Sequence, residues 1–177
     1  FRAWQNKPRR IAVVVSFAAQ LYNNVRWPGT NLGWLGDALN ASGVPYDILY
    51  DDSFFDDPKV LRDYRVVVLP QKIVALPEEA VRQLNQFSKT GGTVVTDTDC
   101  TVNGIHGLKV FAKEDQENAV QTILAHADLP VKCDTPEVFW NMLELEDTTF
   151  LVAVNDKREF GPLLGQWKIA REKGVSQ

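Results

Sequence analysis

Apolar residues in this chain fall into short unbroken runs separated by stretches of helical spacing. Ile11-Ala12-Val13-Val14-Val15, Val66-Val67-Val68-Leu69 and Thr93-Val94-Val95 do not alternate with polar residues. A strand half-exposed to water would alternate, so these runs predict strands covered on both faces, as in a parallel sheet flanked by helices. Tyr46 to Tyr50 reads as a further strand, and Leu108 to Phe111 as a shorter fifth. Between them, Leu32, Leu35, Ala38 and Leu39 form one helical stripe starting at Asn31 and stopped by Gly43 and Pro45. Ala80, Leu84 and Phe87 form a second stripe, opened by Leu76-Pro77-Glu78-Glu79 with carboxylates at its positive end and closed by Gly91-Gly92. Val120, Ile123, Leu124 and Ala127 form a third. Asp57-Pro58 is expected to open a short helix through Leu61, and residues 16–30 to form a long loop.

This alternation predicts an α/β fold with a doubly wound, mainly parallel sheet of the flavodoxin-like kind. The pattern then changes. Val138 to Leu145 and Phe150 to Asn155 are strand-like runs joined by Glu146-Asp147-Thr148, with no room for a helix, which predicts an added antiparallel C-terminal β-hairpin. The expected division is an α/β domain over residues 1–137, then a hairpin and tail over 138–177 that pack on it or lead to a following module.

Val67-Val68-Leu69-Pro70, Leu76-Pro77-Glu78-Glu79, Phe87 to Gly92 and Thr93-Val94-Val95 together resemble the class I glutamine-amidotransferase-like domains that follow the catalytic barrel of certain bacterial β-galactosidases. There they are called trimerisation domains. Phe150 to Asn155 is similar to the β-sandwich strand that commonly comes next. The resemblance implies a non-catalytic structural or oligomerisation domain of a larger carbohydrate-active protein, contacting other modules of its parent chain or identical subunits. The first residue is Phe1 rather than Met, in keeping with a piece of a longer chain.

Composition narrows the alternatives. The 177 residues suffice for one well-buried core, and 45% hydrophobic with 24% charged residues is ordinary globular usage. A formal charge of -4 gives no drive towards nucleic acid or anionic lipid, and no apolar run is long enough to span a membrane. Lys7-Pro8-Arg9-Arg10 reads as a solvated approach to the first strand. Cys100 and Cys133 cannot make a disulfide framework and read as two free, partly buried thiols.

In open α/β sheets ligands sit beyond the carboxyl ends of the strands. The residues expected there are Ser16, Asp51, Gln71, Asp97, Asp99 and Cys100, with His106 nearby. They would serve a small-molecule or sugar-binding module, or a Cys-dependent amidotransferase or hydrolase. The nucleophile reading of Cys100 fails on local chemistry: no glycines flank it to form a tight elbow, and neighbouring Asp97 and Asp99 would disfavour a thiolate. No late His/Glu pair is present to act as base and orienter, His126 falling inside a plain helix. Asp97, Asp99, Cys100 and His106 match no zinc or calcium spacing, so no metal is expected. Gly29, Gly33 and Gly36 do not make a dinucleotide fingerprint and instead suit close helix packing, so no cofactor is expected either. Trp34 and Trp140 read as core. Tyr22, Arg26, Trp27 and Trp167 read as contacts to neighbouring modules, because aromatics and arginine dominate such interfaces.

Overall fold

The computed structural model describes residues 5–6, 9–22, 32–70, 73–135 and 137–155, and of Gln5, Asn6, Gln20 and Tyr22 it describes the backbone alone. Its strands are β1 (Gln5–Asn6), β2 (Ile11–Val15), β3 (Asp47–Tyr50), β4 (Val66–Leu69), β5 (Thr93–Asp97), β6 (Lys109–Phe111), β7 (Val138–Leu145) and β8 (Thr148–Asn155). Its helices are α1 (Phe17–Tyr22), α2 (Gly33–Ala41), α3 (Ser53–Asp56), α4 (Glu78–Lys89) and α5 (Gln116–His126). Five strands in the order β3-β2-β4-β5-β6 form one sheet, and every neighbouring pair in it is parallel.

The unbroken apolar runs have a simple cause. Side chains alternate across a strand, and both faces of this sheet are covered. Ile11, Val13 and Val15 of β2, Val66 and Val68 of β4 and Val95 of β5 pack with Leu35 and Leu39 of α2 and Ala119 and Ile123 of α5. Ala12 and Val14, Val67 and Leu69, and Val94 point the other way, onto Phe54 of α3 and Ala80, Leu84 and Phe87 of α4. A polar residue at any of these positions would be buried without a partner, at a cost of about 1–3 kcal/mol. One buried polar side chain on this face is satisfied by design of its neighbours: Gln83 Nε2 donates to the Phe54 carbonyl at 2.7 Å and to Glu79 Oε1 at 2.8 Å, fastening α4 to α3.

β7 and β8 pair antiparallel along their whole length, from Val138 against Asn155 to Leu145 against Thr148, as expected of a hairpin. They do not extend the parallel sheet. They form a separate three-stranded sheet, β1-β7-β8, in which the N-terminal Gln5–Asn6 pairs antiparallel with Leu143 and Glu144. Trp140 is buried at 7% exposure, and with Met142 it lines a small cavity shared with Pro45, Leu129 and Pro130. That side of the hairpin therefore faces the α/β body.

Four local expectations are corrected. The segment after β2 enters a helix, α1, at Phe17 rather than a loop. The short helix beyond β3 is Ser53–Asp56, whereas 58–63 are turns; Asp57 Oδ1 accepts the Lys59 amide at 2.8 Å and closes a turn there instead of capping a helix. The buried stripe of α5 runs through Ala119 and Ile123 to Ala127, with Val120 and Leu124 half-buried beside it. Arg9 is not merely solvated: its guanidinium donates to the Tyr46 carbonyl and pairs with Asp47 Oδ1 at 3.1 Å.

Gly36 lies on the buried side of α2, where an added Cβ would stand 2.0 Å from Leu32 Cβ, one turn earlier. That atom is fixed to the backbone and cannot swing aside. We expect Gly36→Ala to destabilise the fold by about 1–3 kcal/mol through overpacking, despite the roughly 1 kcal/mol that alanine gains in helix propensity. A lowered urea midpoint at unchanged slope is the expected result.

Candidate functional site

The connection out of β2 runs to β3 at one edge, and the next strand, β4, lies on the other side of β2. The crevice at which strand order reverses therefore opens between the carboxyl ends of β2 and β4. Ser16 immediately follows β2, Asp51 immediately follows β3 and Asp97 is the last residue of β5. All three are buried, at 2%, 8% and 0% exposure.

Ser16 and Asp51 belong together. Ser16 Oγ accepts the Ala19 amide at 3.1 Å, as a helix N-cap does, and lies 3.2 Å from both Asp51 Oδ2 and the Ala75 carbonyl. Asp51 Oδ2 also accepts the Ala18 amide at 3.2 Å. Two of the first amides of α1 are thus satisfied by side chains, one of them a carboxyl group. The pair that reads in sequence as crevice lining is a double cap. The signal was legible only once α1 was known to start at Phe17.

Asp97 serves the turn that follows it. Its Oδ1 accepts the Asp99 amide at 3.0 Å, and its carbonyl accepts the Cys100 amide at 3.2 Å. Burial raises its pKa above the ordinary aspartate value, outweighing the opposing effect of the Asp99 amide bond. Among the described residues, Asp97 Oδ2 and Asp51 Oδ1 are buried without a hydrogen-bond partner. Thr96, not singled out in the sequence, is equally buried and donates from Oγ1 to the Leu69 carbonyl at 3.0 Å, tying β5 to β4. Asp99 is exposed and lines an open groove of about 540 Å³ with Gly33, Trp34 and Asp37 of α2 and Lys113, Glu114 and Gln116.

Cys100 and Cys133 are both free thiols, Cys100 partly buried and Cys133, contrary to expectation, exposed. Cys100 packs against the apolar cluster on the α3/α4 face, with Val102 and Leu108. His126 is on α5, which covers the opposite face, so the two cannot pair. His106 is exposed; its amide donates to Asn85 Oδ1 at 2.9 Å while Asn85 Nδ2 donates to the Gly104 carbonyl at 2.7 Å, so α4 clamps this loop by its backbone. Among the described residues no hydrogen bond joins His106 to Cys100, and no three His, Cys, Asp or Glu side chains gather as metal ligands. Trp34 is core, at 9% exposure. Gln71, Arg26, Trp27 and Trp167 lie outside the described residues, as does the side chain of Tyr22.

With this geometry in hand, comparison with solved structures is informative about the fold. A GH42 exo-carrageenase from Bacteroides ovatus aligns with 84% of this chain at a TM-score of 0.54 and 13% identity, and the aligned part is 23% of that enzyme. This chain therefore has the fold of a part of that larger enzyme, spanning about a quarter of its length. A β-galactosidase from Bifidobacterium adolescentis aligns at a TM-score of 0.40 and 12% identity over 97% of this chain and 100% of the other. One from the psychrophilic Marinomonas ef1 aligns at 0.36 and 16% over 55% and 15%. No protein-family model matches the chain, and no curated protein matches it in sequence.

Two outcomes follow from the rim. Because burial raises the Asp97 pKa, its contribution to stability is full below the unfolded value of 3.8 and declines as pH rises through the higher folded value. Wild type should therefore lose stability relative to Asp97→Asn as pH is raised from 3.5 to 7 in urea titrations; parallel curves would contradict this. Separately, iodoacetamide at neutral pH should alkylate Cys133 before Cys100, followed by peptide mass spectrometry. Faster labelling of Cys100 would mark it as an activated thiol.

Proposed function

We propose that this chain is a non-catalytic interaction domain of a larger carbohydrate-active protein, flavodoxin-like in fold and similar to glutamine-amidotransferase-like trimerisation domains. In this reading residues 1–137 form the α/β body, and residues 138–177 lead from it to a neighbouring module or an identical subunit. The strand order supports the flavodoxin-like assignment. Counted within the parallel sheet alone it is 2-1-3-4-5, the order of that class. The fold shared with part of the exo-carrageenase supports a place inside a larger glycoside hydrolase.

The observation that carries the interaction role is the outer face of the hairpin. Register places Phe139 opposite Val154 and Leu143 opposite Phe150, on the face opposite to that of Trp140. Phe139, Phe150, Val152 and Val154 are 42%, 39%, 45% and 58% exposed. Leu151 on the other face is 54% exposed, so the apolar run of β8 is wet on both sides. Among the described residues β8 pairs only with β7. An exposed apolar face on a hairpin is the signature of a surface that another polypeptide covers. The strand-end crevice supports a ligand-binding role less well, because Ser16 and Asp51 are engaged in capping α1.

Charge placed on this face should disrupt association without unfolding the chain. We expect Val152→Lys and Val154→Lys, both at exposed positions, to weaken self-association or binding to the adjoining module by about tenfold or more, equivalent to ~1.4 kcal/mol. Sedimentation velocity, with circular dichroism as the folding control, provides the measurement. Unchanged association in both variants would defeat the proposal.

A further inference from the structure

At the amino-terminal rim of the sheet, opposite the carboxyl-end crevice, lies a second groove with several cationic side chains. It holds about 450 Å³ and is lined on one side by the turns around Lys59, Arg62 and Arg65, and on the other by Arg82 and Phe87 of α4 and by Thr90 to Gly92 beyond it. Arg65 immediately precedes β4, and Gly92 immediately precedes β5. Four cationic side chains line the groove and no carboxylate does, in a chain whose formal charge is -4.

Two of the four are already engaged. Arg62 Nε pairs with Asp63 at 3.1 Å, and Arg82 makes a two-pronged contact with Glu79 through Nε at 2.8 Å and Nη2 at 2.5 Å. Lys59 and Arg65 have no carboxylate partner among the described residues; Arg65 Nη1 reaches only the Tyr64 carbonyl, at 3.4 Å. Leu61 and Phe87 lie at the base of the groove but are nearly closed off by the fold, at 6% and 8% exposure. The groove passes close over Gly92, where an added Cβ would run into the Phe87 ring. The negative end of α4 points to this rim, but the Gln86 and Phe87 carbonyls accept from Thr90 Oγ1 at 3.1 and 3.0 Å, and the Gly92 amide takes Phe87 as well at 2.9 Å. The helix end therefore opposes an anion less than open carbonyls would.

We propose that this groove binds an anionic polysaccharide, its sulfate or carboxylate groups held by Lys59 and Arg65. Guanidinium and ammonium groups in a concave groove suit oxyanions spaced along a polymer, and the concavity does not suit a flat lipid surface. The choice of a polysaccharide over an acidic peptide rests on the reading of the chain as part of a carbohydrate-active protein.

The test uses the whole 177-residue chain and four probes: dextran sulfate, carboxymethyl dextran, uncharged dextran and poly-glutamate, titrated by calorimetry at low and at raised salt. Binding of either charged dextran, weakened by salt, with uncharged dextran inert, is the expected result. Lys59→Glu combined with Arg65→Glu should weaken it at least tenfold. Amide NMR shifts on wild type should fall in residues 58–65 and 82–92, which keeps the test decisive if the double variant folds poorly. No binding of charged dextrans, equal binding of uncharged dextran, or shifts elsewhere would overturn the proposal. Tighter binding of poly-glutamate would transfer the groove to an acidic peptide and overturn the polysaccharide assignment. Val152→Lys should leave dextran binding unchanged, so failure of the groove and failure of the hairpin reading are read separately.

Discussion

Three central strands, β2, β4 and β5, are buried on both faces, and most of the architecture follows from that burial. A strand with no wet face must be apolar, or have its polar side chains hydrogen-bonded inside the fold as Thr96 and Asp97 of β5 are, and its neighbours must supply cover above and below. α2 and α5 cover one face, α3 and α4 the other. The edge strands escape the requirement, and their side chains show it: Ile48 and Tyr50 on β3 and Val110 on β6 are exposed. Glycine at Gly36 answers a local constraint instead: an added Cβ would collide with Leu32, one turn earlier.

The same burial shapes the two rims differently. At the carboxyl ends the chain must leave a fully apolar strand and begin a helix in little space. The new helix amides need acceptors, and Ser16 and Asp51 provide them. Asp97 likewise turns the chain at the end of β5, held buried by its own succeeding amides. At the amino-terminal rim the strands are entered through turns and glycines, and side chains such as Lys59 and Arg65 extend into water without a local role in capping. Ser16 and the capping oxygen of Asp51 on the first rim are tied to the fold, whereas Lys59 and Arg65 on the second have no carboxylate partner among the described residues.

The hairpin adds a different economy. Pairing Gln5–Asn6 with β7 draws the start of the chain onto the strand that follows the last helix, so early and late segments share one small sheet. One side of β7 is secured by Trp140 against the α/β body. Phe139 on the other side, and Leu151, Val152 and Val154 on β8, are exposed. A three-stranded sheet with one covered face is stable where it is packed and incomplete where it is not.

Strand identity, helix stripes and the parallel-then-antiparallel switch were all present in the sequence, because burial on two faces, one stripe or a direct hairpin link each leaves a distinct periodicity. The Val66 to Leu69 run and the Ala80, Leu84, Phe87 spacing could hardly mean anything else. What periodicity cannot carry is pairing between distant residues. That Ser16 and Asp51 jointly cap α1 depends on β2 and β3 being neighbours, 35 residues apart in sequence. α1 itself was hidden, since Phe17 and Leu21 are exposed and leave no buried stripe to detect. A strand as short as Gln5–Asn6 exists only because β7 offers it an edge. The basic groove arises from two segments, 58–65 and 82–92, that meet only when α4 folds back across the sheet. Local chemistry decides which elements form, and only tertiary packing decides which side chains face one another.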